Sequence, residues 1–395
     1  MKAVYRIASC IMVGVFTAAG SISAYDIGFR TLTFTDPVRS RDIPVYIAYP
    51  AESPGSSAPV AAGVFPVIVF GHGFLIDTDD YGFLWEAAVP EGFIVILPST
   101  EGTLSPDHGS FGLDLAFLCD FFPSLNTDPA SPFYQHVAPA TAVMGHSMGG
   151  GSSFLAAAET GTITALANFA AAETDPSAIG AAEAITIPAL LFAATEDCIT
   201  PPNSHQMPMY TALSSECKTI VTLNGASHCQ FASNNSTCRL GEIISGCSAS
   251  IPLETQETRT LSILIPWLQA VLMNNPTAWT SFQQTLQDGI TSGIFTVEQQ
   301  CPTPPLPTPT PTPASSPTPA CINSGDATLD GTLTAGDAQL IFSIVLGSIT
   351  PTFEEACAAD CTGDGSITAG DAQQTFFAVL GTGTCTDPIV FTDYR

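Results

Sequence analysis

Short apolar segments alternate with helical segments over much of the chain, and this alternation restricts the possible folds more than any other feature. The apolar segments are brief and bounded by Gly, Pro or Asn, which is typical of buried strands; they are residues 65–70, 93–97, 141–144, 187–192 and 219–223. Helical patterns cover residues 81–91, 112–122 and 152–159. This order predicts an α/β fold with a doubly wound, mostly parallel sheet that helices cover on both faces.

Further segments at either end extend the predicted sheet and its covering layer. Residues 29–34 and 43–49 have the composition of strands and predict an antiparallel pair at one edge of the sheet. Residues 255–272 predict a helix packed on the outside, bent where Pro266 interrupts its backbone hydrogen bonds. We therefore assign residues 25–300 to one domain.

A proline-rich stretch separates this domain from the rest of the chain. Residues 301–320 read CPTPPLPTPTPTPASSPTPA, in which proline alternates with small polar residues and no amphipathic period survives. Such a composition predicts an extended polyproline-type linker that spans up to roughly 3 Å per residue. A second domain is expected at residues 321–386, followed by a tail at residues 387–395.

The N-terminus has the layout of an export signal. Lys2 and Arg6 precede an apolar run at residues 7–19, and the small-residue sequence SISA ends at residue 24. We predict a signal peptide over residues 1–24 and a secreted protein. The apolar run is shorter than the roughly 20 residues that a membrane span needs, and no later uninterrupted run approaches that length, so we expect no stable membrane insertion.

The charge balance limits the possible partners. The chain has 36 acidic and 9 basic side chains and a formal net charge of -27. So few cations cannot neutralise the phosphates of a nucleic acid or an anionic lipid surface. We therefore expect no nucleic-acid partner. We interpret the excess of acidic side chains as a feature that keeps the protein soluble outside the cell and supplies oxygen ligands for cations.

The sequence Gly145-His146-Ser147-Met148-Gly149 stands between a predicted strand and a predicted helix. This is a G-x-S-x-G motif in the context of a nucleophile elbow, where the turn is so tight that Gly145 and Gly149 must lack side chains. Ser147 would then lie at the carboxyl edge of the sheet, beside a helix N-terminus that stabilises negative charge. The motif predicts Ser147 as a nucleophile.

A serine nucleophile needs a histidine base and an acid that orients it. His228 follows the predicted strand 219–223, whereas the other histidines belong to glycine motifs, precede Ser147 or lie too close to the acid. The acid is expected just after strand 187–192, where Asp197 is our prediction and Glu196 is the alternative. Backbone N–H groups of Phe74, in a second glycine motif, and of Met148 are predicted to form the oxyanion hole.

With these residues in place, residues 27–272 resemble the dienelactone-hydrolase-like esterases of the α/β-hydrolase fold, in particular the cutinase and polyester-hydrolase group and the chlorophyllase-like group. The resemblance rests on GHGF at Gly71, GHSMGGG at Gly145, EDCITPP at Glu196 and GASH at Gly225. It implies a carboxylic-ester hydrolase that needs no cofactor for catalysis.

The resemblance also implies a catalytic triad of Ser147, Asp197 and His228, with oxyanion donors at Phe74 and Met148. One departure concerns the substrate. Polyester hydrolases of this group have a tryptophan between the nucleophile helix and the acid strand, whereas residues 170–174 of this chain read AAAET. The resemblance therefore does not extend to aromatic polyesters.

The cysteines are expected to form disulfides, because an exported protein meets an oxidising environment. No zinc-type C-x-x-C pair occurs among them. Cys198 and Cys229 directly follow the predicted acid and base, but the sequence alone leaves the pairing open. The other cysteines between the signal and the end of the linker are Cys119, Cys217, Cys238, Cys247 and Cys301.

The second domain contains one loop-helix unit twice, as DATLDGTLTAGD and DCTGDGSITAGD, each followed by an apolar helical run that ends in Val-Leu-Gly. The units resemble a type I dockerin, a small all-α module that binds calcium and docks onto cohesin-bearing scaffolds. Oxygen donors fall at calcium-loop positions, with glycine at the sharp turn. The predicted ligands of two Ca²⁺ sites are Asp326, Thr328, Asp330, Thr332, Thr334 and Asp337, then Asp360, Thr362, Asp364, Ser366, Thr368 and Asp371.

The leading hypothesis is a secreted serine esterase that is recruited to a cohesin scaffold and acts on a carboxylic ester, with polymeric esters among the candidate substrates. Two alternatives stay open at this point. One is a non-catalytic assembly or binding protein with a vestigial hydrolase fold. The other is a lipase or a hydrolase of small lactones.

Overall fold

The computed structural model describes residues 25–233, 235–302, 324–349, 351–362 and 367–385. The predicted signal peptide, most of the predicted linker and the predicted tail lie outside these residues. The chain divides into two compact units, Met1–Pro307 and Thr308–Arg395. No helix among the described residues is both long enough and apolar enough to cross a membrane.

A 10-stranded sheet forms the centre of the first unit, in the order β10-β9-β8-β7-β6-β4-β5-β2-β1-β3. Neighbouring strands from β9 to β5 are parallel, whereas β2, β1 and β10 pair in the antiparallel sense with their inner neighbours. The strands are β1 Asp26–Asp36, β2 Arg41–Ala51, β3 Gly55–Ser56, β4 Phe65–Gly71, β5 Ile94–Pro98, β6 Val137–His146, β7 Ala165–Phe169, β8 Ala189–Ala194, β9 Lys218–Leu223 and β10 Phe295–Gln300.

Helices cover both faces of this sheet. In the first unit they are α1 Gly82–Ala88, α2 His108–Phe121, α3 Met148–Glu159, α4 Ala178–Ala182, α5 Gln206–Ala212, α6 Ser236–Ser245, α7 Leu253–Leu272 and α8 Pro276–Ser292. Short 3-10 helices occupy Thr78–Tyr81, Val89–Glu91, Phe122–Asn126 and Cys229–Phe231. The described part of the second unit contains α9 Ala335–Val345, α10 Phe353–Ala359 and α11 Ala369–Val379.

The central strands are buried on both faces, and alternate residues enter two separate cores. Val67 and Val69 of β4 pack into one core, and Ile68 and Phe70 pack into the other. This follows from the two-residue period of a strand, which sends successive side chains to opposite faces. A parallel sheet covered on both sides therefore appears in the sequence as uninterrupted apolar runs.

The predicted α/β fold is confirmed, including the antiparallel pair β1–β2 and the helix α7 with Pro266 inside it. The sequence interpretation missed β7, which reads ALANF. Its alanines favour helices over strands, and the strand forms because β6 and β8 enclose it on both sides. The helices α2 and α3 also begin four residues earlier than predicted, at His108 and Met148.

Four disulfides are present among the described cysteines. Two of them belong to the loops that follow β8 and β9, namely Cys198–Cys247 and Cys229–Cys238. The other two are Cys217–Cys301, at the start of β9 and the end of β10, and Cys361–Cys385 in the second unit. Cys119 is a buried free thiol.

Candidate active site

Ser147 occupies the turn between β6 and α3, with φ of 55° and ψ of -120°. A non-glycine residue with this φ is strained, by about 1–3 kcal/mol. The strain is maintained by close packing, because a Cβ atom on Gly145 would overlap the backbone of Gly149, and one on Gly149 would overlap the backbone of Gly71. The two glycines of the motif are therefore required by contact between β4, β6 and α3.

Backbone hydrogen bonds from the loop after β7 hold the turn in place. Ser147 N–H donates to the Phe169 carbonyl at 3.1 Å, and Ala172 N–H donates to the Ser147 carbonyl at 2.8 Å. The missed strand β7 thus leads directly into the segment that fixes the backbone of Ser147. Residues 170–172, in the stretch that lacks a tryptophan, are buried or half-buried beside it.

His228 and Asp197 lie together at the carboxyl ends of β9 and β8. The distance between His228 Nδ1 and Asp197 Oδ2 is 2.9 Å, and both side chains are buried. Asp197, and not the neighbouring Glu196, makes this contact. Burial by itself raises the pKa of Asp197, but the hydrogen bond and charge of His228 together with hydrogen bonds from Thr200 outweigh it, so the pKa is lowered from its ordinary value.

Thr200 is a part of this site that the sequence interpretation missed. Its hydroxyl lies 2.8 Å from Asp197 Oδ2 and 2.9 Å from His228 Nδ1, and its backbone N–H donates to Asp197 Oδ1 at 2.7 Å. Gln206 in turn donates to the Thr200 hydroxyl at 3.2 Å. The spacing of Thr200, three residues after the acid, is the local signal that the sequence contained, since an Asp side chain often accepts from the backbone a few residues on.

A second polar chain links three loops of the site. Gly73 N–H donates to the Tyr81 hydroxyl at 2.8 Å, and that hydroxyl lies 3.0 Å from His146 Nδ1. His146 Nε2 lies 3.2 Å from the His228 carbonyl. A carbonyl only accepts, so Nε2 carries the proton, and Nδ1 accepts from Tyr81. The glycine loop, the nucleophile turn and the His228 loop are thus connected.

Burial favours the uncharged forms of Tyr81 and His146, the two side chains in this series of hydrogen bonds. It raises the pKa of the Tyr81 hydroxyl far above its ordinary value, with the charge of Asp80 adding a smaller effect. Burial, followed by the charge of His228, lowers the pKa of His146 well below its ordinary value. A neutral His146 is the form that accepts from Tyr81 and donates to the His228 carbonyl.

The predicted oxyanion donors belong to two different segments, the start of α3 and the turn after β4. Met148 is the first residue of α3, so its N–H has no partner within the helix. Phe74 follows Gly73 in the turn after β4, and its side chain is exposed. His72 is held between two backbone carbonyls, with Nδ1 2.8 Å from Gly73 O and Nε2 2.9 Å from Thr100 O. His72 therefore has structural contacts on both ring nitrogens.

A family model described as PETase: PET hydrolase-like matches residues 47–246, which is half of the chain. The chain belongs to the PET hydrolase-like family. The matched residues include Ser147, Asp197 and His228, whereas all of α7, α8, β10 and the second unit lie beyond them.

The chain is also similar to curated proteins over a little less than half of its length. It is 31% identical over 180 residues to Cutinase est1 of Thermobifida alba, which is 45% of this chain and 57% of that protein. It is 30% identical over 177 residues to the bis(hydroxyethyl) terephthalate hydrolase of Streptomyces coelicolor, which is 44% of this chain and 54% of that protein. This PET hydrolase-like chain thus spans little more than half the length of the relatives that it matches.

The second unit of the PET hydrolase-like chain contains the predicted calcium loops. The described residues contain no group of three or more His, Cys, Asp or Glu side chains that could hold a metal ion. In the first loop, however, the Thr328 hydroxyl lies 2.8 Å from Asp337 and 3.3 Å from Asp326, so oxygens from both ends of the loop converge. Asp330 instead accepts from Thr332 N–H at 2.8 Å.

The second predicted calcium loop repeats part of this arrangement. The Thr362 hydroxyl lies 2.7 Å from Asp371 and 3.5 Å from Asp360. Thr334 and Thr368 cap α9 and α11, and Asp337 and Asp371 complete a capping box in each. Asp364 and Ser366 lie outside the described residues.

Proposed function

We propose that the chain is a secreted serine esterase that hydrolyses carboxylic esters through an acyl-enzyme. One observation carries the proposal: a buried Asp197–His228 pair stands at the sheet edge where Ser147 occupies a strained turn before a helix. Strained backbone of this kind is kept where function requires it. Membership of a family whose relatives include proteins named as cutinases supports the same reaction class.

In the first half of the proposed reaction, Ser147 Oγ attacks the carbonyl carbon of the ester. His228 Nδ1 is committed to Asp197, so Nε2 is the nitrogen that takes the serine proton. The negative charge that develops on the carbonyl oxygen is stabilised by the N–H groups of Phe74 and Met148. The intermediate then collapses, the ester C–O bond breaks, and His228 returns its proton to the leaving alcohol.

In the second half, water replaces the alcohol. His228 takes a proton from the water as it attacks the acyl carbon, and the same oxyanion donors act again. Breakage of the bond to Ser147 Oγ releases the carboxylic acid and returns the proton to the serine. Asp197 stabilises the imidazolium in both halves, and the chemistry requires no cofactor.

The experiment that tests this function uses the Ser147→Ala variant and a soluble ester. Wild type is expected to hydrolyse p-nitrophenyl acetate and butyrate and to be labelled by a fluorophosphonate probe, and the variant is expected to lose both. Unchanged turnover in the variant would refute the mechanism. An unlabelled wild type would favour the alternative of a vestigial, non-catalytic fold.

The proposed substrates are aliphatic rather than aromatic polymeric esters. The relatives are named for cutin and for a terephthalate ester, but residues 170–174 here are AAAET where polyester hydrolases of this group have a tryptophan. Small side chains at this position remove the flat surface on which an aromatic acyl unit would stack. A panel of acyl chain lengths separates this proposal from a lipase, which should prefer long chains.

The second unit is proposed to be a calcium-binding dockerin. The convergence of hard oxygen donors at both loops supports this, since Ca²⁺ takes carboxylate, hydroxyl and carbonyl oxygens. Asp326, Thr328, Asp330 and Asp337 would hold one ion and the matching residues of the repeat the other. Ca²⁺ is expected to raise the melting temperature of this unit, and an Asp330→Ala, Asp364→Ala double variant should not respond to it.

A cohesin-bearing scaffold is the proposed partner of this unit. The two repeats expose matching apolar side chains, namely Phe342 on α9 with Leu346 directly after it, and Phe376 on α11 with Leu380 directly after it. Such a repeated patch suits a partner that covers apolar surface. A pull-down with purified cohesins, with and without a calcium chelator, tests this assignment.

A further inference from the structure

Helix α6 presents three large aliphatic side chains to solvent. Leu240, Ile243 and Ile244 are 56%, 68% and 77% exposed. Their spacing places them together on one face of the helix. Single exposed apolar residues are common, but a contiguous group of them marks a surface that meets something other than water.

The opposite side of α6 is attached to the loop that carries His228. Glu242 is buried, and its Oε1 accepts the Cys229 N–H at 2.8 Å. The Cys229–Cys238 disulfide joins the helix to the residue that follows His228. A buried hydrogen bond and a disulfide therefore fix α6 to the loop of the proposed catalytic base, and the apolar face lies on the opposite side of the helix.

The ends of the α6 segment are also tied to the site. After the helix, Cys247 is bonded to Cys198, next to Asp197, and Ser250 N–H donates to the Gly225 carbonyl at 2.8 Å. Before the helix, Asn235 Nδ2 donates to Asp80 Oδ2 at 2.9 Å. Asp80 is the neighbour of Tyr81, which contacts the Gly73 loop. Helix α6 thus stands at the edge of the sheet where Ser147 lies.

We propose that the apolar face of α6, formed by Leu240, Ile243 and Ile244, is the docking surface by which the protein adsorbs to an insoluble, uncharged polymeric ester. The inference rests on the proposed function, because it places the polymer beside Ser147. Adsorption at this face brings ester bonds of the solid to the carboxyl edge of the sheet. It adds a binding step that a soluble ester does not need.

Charge decides between the possible occupants. Arg239 is the one basic residue of α6, and the chain as a whole has a formal net charge of -27. An anionic lipid surface would repel such a protein. A neutral polymer removes the three aliphatic side chains from water without desolvating a charge, so the hydrophobic effect alone favours the contact.

Adsorption is tested in the full chain without turnover. In a Ser147→Ala background, Leu240→Gln, Ile243→Gln and Ile244→Gln are combined, because glutamine keeps the helix propensity and is polar. The apparent Kd for amorphous polycaprolactone particles, from depletion isotherms, should rise at least about tenfold. Val64→Gln is the matched control, since Val64 is exposed just before β4, at the opposite end of the parallel strands, and should leave the Kd unchanged.

Turnover separates this inference from the proposed function. With Ser147 intact, the triple variant should lose activity on the particles by a similar factor and keep its kcat/KM for p-nitrophenyl acetate. If the triple variant adsorbs as strongly as its parent, the proposed docking surface is wrong, and the proposal of an esterase is unaffected. A wild type that adsorbs but cleaves neither substrate would overturn the proposed function alone.

Two further outcomes would also overturn the docking surface. If light scattering shows that wild type is a dimer and the triple variant a monomer, the face is covered by a second copy of the chain. If wild type binds phosphatidylglycerol vesicles through this face and ignores the polymer, the occupant is a membrane.

Discussion

The nucleophile turn and the His228 loop stand at the same edge of one sheet but are held by different forces. Ser147 is positioned by backbone packing, in which Gly145 and Gly149 leave no room for a side chain. His228 is positioned by buried side chains and by the one disulfide of its own loop, Cys229–Cys238. The backbone packing around Ser147 is recognisable in the sequence as a short motif, whereas the residues that position His228 are far apart along the chain. Variants at each loop should therefore fail in different ways.

The largest effect is expected from Asp197→Asn, which tests the side-chain arrangement of the His228 loop. The amide no longer orients and stabilises the imidazolium, so kcat for p-nitrophenyl butyrate should fall by about 10⁴. Glu196→Gln is the control, since Glu196 makes no such contact, and its kcat should stay within about twofold of wild type. Similar losses in both variants would contradict the assignment of the acid.

Gly149→Ala tests the backbone packing of the nucleophile turn. The added methyl overlaps the backbone of Gly71, which cannot move without distorting β4, so the free energy of unfolding should fall by about 3 kcal/mol or more. Gly161→Ala is the control, because a Cβ there meets nothing within 4 Å. Urea denaturation measures both, and equal stability of the two variants would show that the turn is not tightly packed.

Removal of the disulfide beside Asp197 should affect both stability and activity. The Cys198→Ser, Cys247→Ser variant opens a loop with a sequence separation of 49, and a loss of about 3 kcal/mol is expected. Its kcat should fall as well, because Asp197 is the neighbour of Cys198. The Cys217→Ser, Cys301→Ser variant should lose stability but keep its kcat, since this bond lies at the start of β9, away from the site. Unchanged kcat in both variants would limit the disulfides to a structural role.

Tyr81→Phe tests the polar chain that connects the two loops. It leaves Gly73 N–H and His146 Nδ1 without their partner, and loosening of the glycine loop should lower kcat about tenfold with little change in KM. Tyr49→Phe is the control, because its buried hydroxyl donates to the Ala58 carbonyl on the other face of the sheet. An equal change in kcat for both would contradict a positioning role for Tyr81.

The smallest effect is expected in the dependence of stability on pH. The pKa of buried His146 lies well below its ordinary value, so the unfolded chain takes up this proton first as the pH falls. The contribution of His146 to the free energy of unfolding is therefore fully present above about pH 6.5. Below that pH it declines by up to about 1.4 kcal/mol per pH unit. Urea unfolding at about pH 7 and about pH 5.5 should give a smaller decline in His146→Gln than in wild type, and equal declines would contradict the neutral state of His146.

The comparison of the two loops also explains which residues the sequence interpretation found. The G-x-S-x-G motif and the position of His228 after a strand led to residues that the structure places at one edge. Tyr81 was missed because its contact depends on the fold, since it is separated from His146 by 65 residues in the sequence. Thr200 is only three residues from Asp197, but its contact with His228 spans 28 residues and likewise depends on the fold. Strand β7 was missed for a related reason, since its alanines form a strand only between two neighbours.

The sequence by itself determined the sheet class and the nucleophile turn, and it restricted the acid that meets His228 to Asp197 or its neighbour Glu196. These depend on local patterns: the apolar period of buried strands, the glycines of a tight turn and the order of strands along the chain. The disulfide pairing, the chain from Gly73 to His228 and the orientation of α6 were decided only by the tertiary structure. They arise from contacts between distant segments, and no local pattern records which segments a folded chain brings together.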